Sequence, residues 1–200
     1  KKVERGIAKI KDATVVVAPP FPFLLPVGKV LKKVHLAAQD MFWEAKGAFT
    51  GEVSWHQLEH LRVEYVIIGH SERRKLGETD EMVNKKIKAA LKAKLKPIIC
   101  AANLIQLKKA LKIIQDSGSK LQDSILAFDP PSAIGTGKPY DVKKAAKIRK
   151  AIKHPVVIYG GSTNSKNAAD YIRAGFQGLL PGGASLRAEE FVKMVKNVCR

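Results

Sequence analysis

Acid is in short supply in this chain: 18 Asp and Glu stand against 36 Lys and Arg, for a formal net charge of +18. Most of the excess lies between Lys85 and Lys153. Such a balance favours anionic partners, whether phosphorylated metabolites, nucleic acid or acidic surfaces. Aromatic residues are also few, 6% of the chain. Near the basic segments only His35, Tyr140 and Tyr159 occur, each apart from other aromatics, which argues against a stacking platform for single-stranded nucleic acid. The lysines of NKKIKAALKAKLK (84–96) fall at the spacing of a solvated helix face. Cysteine is limited to Cys100 and Cys199, too few for a disulfide framework and at no metal-binding spacing, as expected of reduced thiols in the cytoplasm. No apolar stretch approaches the ~20 residues needed to span a bilayer, and KKVERGIAKI lacks the pattern of a signal peptide. No membrane partner is expected.

Apolar residues are plentiful, at 46%, and they are ordered. Short β-branched runs occur at TVVVAP (14–19), VHLAAQ (34–39), YVIIGH (65–70), KPIICA (96–101), SILAFDP (124–130), VVIYGG (156–161) and GLLPGG (178–183). Their continuous apolar character predicts parallel strands buried on both faces. Helical patterns lie between them at 80–95, 104–116, 141–153, 165–175 and 187–198. In the first, Met82, Val83, Ile87, Ala90 and Leu91 share one face. Thr79 or Asp80 and Ser165 are candidate caps. Strand–helix alternation of this kind means an α/β protein. Seven strands exceed what an open doubly wound sheet usually needs, so residues 1–200 are expected to form a single (β/α)8 barrel domain. VERGIAKIK reads as the end of a helix, and an eighth strand is expected ahead of it.

In such a barrel the chemistry gathers where strands end. Those positions are Gln39, His70, Asn103, Asp129, Ser162 and the pair Gly182 and Gly183. His70, at the junction of YVIIG with a helix, could donate a hydrogen bond to a carbonyl oxygen; a structural histidine is the plainer alternative. YGGST (159–163) and LPGGAS (180–185) pair glycines with serine at strand-to-helix junctions, where exposed N–H groups hold phosphate. Asp129 follows a buried run, so its carboxylate is expected in the barrel mouth, although an aspartate starting a Pro-rich turn is common. Pro130 and Pro131 stiffen the chain just after it, and Gly135-Thr136-Gly137 supplies a mobile apex. A carboxylate beneath a lid that excludes water suits proton abstraction next to a carbonyl.

AIGTGKP with its preceding carboxylate, VEYVIIGHSERR, AAQDMFWEAKGAFTGEVS, IYGGS and GGASLRAEEF together resemble the triosephosphate isomerase family, in order and spacing, from about Val15 to Val195. The resemblance implies a TIM (β/α)8 barrel and interconversion of dihydroxyacetone phosphate with D-glyceraldehyde 3-phosphate through an enediolate, without cofactor or metal. By position it makes Asp129 the base and His70 the group that polarises the carbonyl. Gly135, Ser162, Gly182 and Gly183 would hold the substrate phosphate, with Ser71 and Arg73 supporting the site. The loop 41–54 resembles the family's dimer arm, with Thr50 near the partner's site, which implies a homodimer.

The chain also departs from the family pattern. The asparagine and lysine of the family's first strand are not in the sequence. Asp129 is one methylene shorter than the family's glutamate, which predicts slower turnover, since ~1 Å of misplacement costs on the order of a hundredfold. Ser132 replaces a tryptophan, Asn103 a glutamate and Pro181 a valine. These changes sustain an alternative, a catalytically decayed barrel acting as a basic binding module for nucleic acid or a larger assembly.

Overall fold

The computed structural model describes residues 1–199. Along the chain the elements are helix α1 (Lys2–Gly6), strand β1 (Val16–Val17), α2 (Leu24–Gly28), β2 (His35–Ala38), α3 (Trp55–His60), β3 (Tyr65–Ile68), α4 (Ser71–Lys75), α5 (Asp80–Lys92), β4 (Lys96–Ala101), α6 (Leu104–Asp116), β5 (Ile125–Phe128), α7 (Val142–Lys150), β6 (Val157–Gly161), α8 (Ala168–Arg173), β7 (Gly178–Pro181) and α9 (Ala188–Val198). The seven strands form one sheet in chain order, β1 to β7, and the pairings between them are parallel. Each of the seven strands read from the sequence is present. Each expected helix is present too, most of them trimmed at the ends.

The chain divides into two compact units. One comprises Thr14–Ile99 and Lys109–Ile125. Its core is built from Leu36, Ala37, Ala38, Val66, Ile68, Ile98 and Ile99 on the strands, closed by Val83, Ile87 and Ala90 of α5. Thr79 caps α5, its hydroxyl accepting from the Met82 N–H at 3.2 Å. Met82 and Leu91, expected on the buried face, are only half-buried, and Lys86 takes a fully buried place beside Ile87 instead. Ser54 and Gln57 exchange bonds in a capping box that starts α3.

The other unit comprises Lys1–Ala13, Cys100–Lys108 and Leu126–Arg200. Leu126, Ala127, Phe128, Val157, Tyr159, Tyr171, Phe176 and Met194 are buried in it. Helix α1 lies so close to α9 that a Cβ on Gly6 would stand 2.6 Å from Val192. Ser165, expected to cap α8, holds α9 instead: its N–H donates to Glu190 at 2.7 Å and its carbonyl accepts from Asn197 at 2.7 Å. Asn167 occupies the cap position.

Burial on both faces holds for β2 to β6 but not for the outer strands. Both residues of β1 and all four of β7 are half-buried, since each of these strands has one neighbour among the described residues. Pro181 sits on β7, and an edge strand is where a residue without an N–H is tolerated.

Candidate active site

Register places the strand-end candidates. In the unit that holds β5 to β7, Phe128 pairs with Tyr159 and Gly161 with Pro181. Asp129, Ser162 and Gly182 therefore leave the sheet from one edge. Asp129 is 2% exposed, and its backbone N–H donates to the Ala101 carbonyl at 2.8 Å. Beside it the neighbouring strand carries Gly160, where a Cβ would lie 2.7 Å from Asp129 Oδ1. The carboxylate thus occupies space that only glycine leaves open. It also adds to burial in raising the Tyr159 phenol above its ordinary range.

The segment after Asp129 is tied at its root. Residues Pro131–Ala133 form a 3-10 turn, and the Ser162 hydroxyl donates to the Ala133 carbonyl at 2.7 Å. Gly135 and Gly137 both have φ of 69°. A side chain at either would meet nothing within 4 Å, so it is the left-handed backbone that calls for glycine here. Between them Thr136 Oγ1 donates toward the Ser132 and Lys138 carbonyls and accepts from the Lys138 N–H. Gly182 and Gly183 open a 3-10 turn leading to α9. Both are exposed and have open space where a Cβ would stand, leaving their backbone approachable.

In the other unit, Gly69 (φ 74°) follows β3 and His70 caps α4. His70 Nδ1 accepts from the Glu72 N–H at 3.4 Å and lies 3.6 Å from Glu72 Oε2. With Nδ1 in the accepting role, the donor role falls to Nε2. Ser71 is buried beside it. Arg73 Nε lies 3.0 Å from Asp40 Oδ2. Asp40 in turn accepts from Lys86 Nζ at 2.6 Å, and Lys86 also donates to Glu78. Sequence reasoning missed this Asp40–Lys86–Glu78 chain, although position 86 falls on the same helical stripe as Val83, Ile87 and Ala90.

Two strand-end candidates do local work. The Gln39 amide donates to the Ala18 carbonyl at 2.9 Å. Asn103 Oδ1 accepts from the Gln106 N–H at 3.0 Å at the start of α6. Thr50 lies at the exposed tip of the loop 41–54. That loop is closed at its base by the Phe42 N–H donating to Val53, and by Phe42 packed against Trp43 and Phe49 at 4.1 and 4.6 Å between ring centres.

The family model for triosephosphate isomerase matches residues 1–198. The triosephosphate isomerase of Thermoanaerobacter pseudethanolicus is 41% identical over 228 aligned positions, covering 98% of this chain and 91% of that protein. That of Acetivibrio thermocellus is 42% identical over 221 positions, covering 96% and 88%. That of Dehalococcoides mccartyi is 40% identical over 226, covering 98% and 84%. These alignments are longer than the 200-residue chain, so such relatives carry internal segments with no counterpart here.

Proposed function

Because the chain belongs to the triosephosphate isomerase family, we propose that Asp129 and His70 run its aldose–ketose isomerisation. The fold is the (β/α) barrel class and the activity is the interconversion of dihydroxyacetone phosphate and D-glyceraldehyde 3-phosphate. Asp129 takes a proton from the carbon beside the substrate carbonyl. The electron pair moves onto the carbonyl oxygen, where His70 Nε2–H donates a hydrogen bond to the developing enediolate. His70 Nε2 then gives its proton to that oxygen and takes the one on the neighbouring hydroxyl, which becomes the new carbonyl. Asp129 returns its proton to the adjacent carbon, so that no atom is gained or lost. Backbone groups of Gly135, Ser162, Gly182 and Gly183 hold the phosphate, and Ser71 and Arg73 support the histidine's turn.

The observation that carries this reading is the carboxylate itself. Asp129 is buried at the end of a strand, seated against a glycine that makes room for it, at the root of a segment that two left-handed glycines shape. A base held this way is positioned before substrate arrives. Phe49, 43% exposed in the loop 41–54, supports a homodimer that joins through this arm and brings Thr50 to the partner's site. No helix among the described residues is long and apolar enough to cross a membrane. The proposed location is the cytoplasm.

The test is steady-state isomerisation of D-glyceraldehyde 3-phosphate. The isosteric Asp129→Asn keeps the shape and removes the base, and should lower kcat by at least about a hundredfold. An Asp129→Asn protein as fast as the parent would remove Asp129 from the mechanism.

A further inference from the structure

The far end of the segment that follows Asp129 is held differently from its root. The Tyr140 N–H donates to the Tyr159 hydroxyl oxygen at 2.9 Å. The Tyr171 hydroxyl donates to the carbonyl of the same residue, Tyr140. One residue thus has both its backbone groups held, by side chains from β6 and α8. The two phenol rings that hold it are stacked, with centres 3.8 Å apart and planes 8° from parallel. Both are fully buried, and Phe176 packs against each. The Tyr140 ring meets Phe128 edge-on at 5.3 Å, and Phe128 immediately precedes Asp129.

We propose that Tyr171 is a positioning residue for the isomerisation, fixing the downstream hinge of the lid at Tyr140 so that closure is confined to residues 134–139. The proposal rests on the reading of 130–140 as the lid over the substrate. With Ser162 on Ala133 at one end and Tyr159 with Tyr171 on Tyr140 at the other, the chain between has fixed ends and two flexible glycines. Such a lid closes as a short hinged flap. Freeing the Tyr140 carbonyl lets the downstream anchor shift, and the grip of Gly135 on the phosphate shifts with it. The stacked pair has a reason to be two tyrosines rather than two phenylalanines: each ring carries one half of the clamp.

Tyr171→Phe removes the hydroxyl and leaves the stack. Two measurements on the full chain decide the matter. Amide hydrogen exchange of the peptide spanning 130–140 should rise several-fold in Tyr171→Phe while exchange in the strands stays unchanged. In kinetics, kcat/KM should fall about tenfold, mostly through a weaker hold on the phosphate-bearing substrate, with the melting temperature close to the parent's. Tyr140→Phe, which keeps the backbone bonds, should leave exchange in this peptide at the parent's level. Unchanged exchange in Tyr171→Phe, or raised exchange with unchanged kcat/KM, would overturn the proposal. If the parent protein does not isomerise the substrate, the functional reading fails on its own, and an exchange profile unmoved by Tyr171→Phe would still dispose of the clamp.

Discussion

Gly160 and Asp129 are matched: a single carbon added to the glycine would stand 2.7 Å from the carboxylate oxygen and 3.2 Å from the carboxylate carbon. The backbone of Gly160 is not in the left-handed region, unlike Gly161 beside it at φ 156°. Space alone therefore explains the glycine.

It follows that Gly160→Ala damages activity more than stability. The new methyl displaces the carboxylate proposed as the base, and a shift of ~1 Å costs on the order of a hundredfold in rate. The expected result is a kcat reduced by roughly that factor with a urea midpoint near the parent's. A variant that isomerises normally would show that the carboxylate can stand elsewhere and still act.

The sequence made the strands and helices legible because each obeys a local period. β-branched runs mark the strands, and the stripe Val83, Ile87 and Ala90 marks α5. The strand-end positions of Asp129 and His70 were legible for a related reason, since both stand where an apolar run stops. What escaped were functions set by distant partners. Gly160 reads as one half of a phosphate-binding pair, yet its closest side-chain neighbour stands just past the end of another strand, 31 positions earlier. Asn103 reads as a polar group at a strand end, while its carbonyl oxygen is spent on the first turn of α6. Tyr140, Tyr159 and Tyr171 follow no common period, so their convergence on one peptide is visible only in the fold. Lys86 escaped because its charge reads as exposure.

That lysine is a buried cation with two ion pairs. Lys86 is 1% exposed and ion-paired with Asp40 and Glu78, which are themselves 7% and 5% exposed. Lys86→Met keeps most of the side-chain volume but takes the cation from buried Glu78 and leaves Asp40 with Arg73. Breaking a buried pair from one side costs about 3–5 kcal/mol. Urea unfolding should show a loss of that order, and Lys86→Met combined with Glu78→Gln should recover part of it. A single variant as stable as the parent would mean that water or another cation takes the place of the ammonium.

The tyrosine clamp has a signature at high pH. The chain has four tyrosines. Burial raises the phenols of Tyr65, Tyr159 and Tyr171 above the ordinary value of 10.0. For Tyr171 the nearby Tyr159 hydroxyl adds to the effect of burial. In the unfolded chain these groups lose their protons near pH 10, while in the folded protein they keep them. Above pH 10 the unfolded state therefore binds fewer protons than the folded one, and stability falls as pH rises. Their contribution is fully present below pH 10 and is lost progressively above it. Ultraviolet titration should show most of the phenolate absorbance appearing together with unfolding rather than before it. Tyr171→Phe should lower the amplitude of that step and flatten the alkaline fall in stability. Phenolate absorbance growing smoothly from pH 10 in a still-folded protein would mean that Tyr159 and Tyr171 are open to solvent, and the hinge they hold at Tyr140 would be open with them.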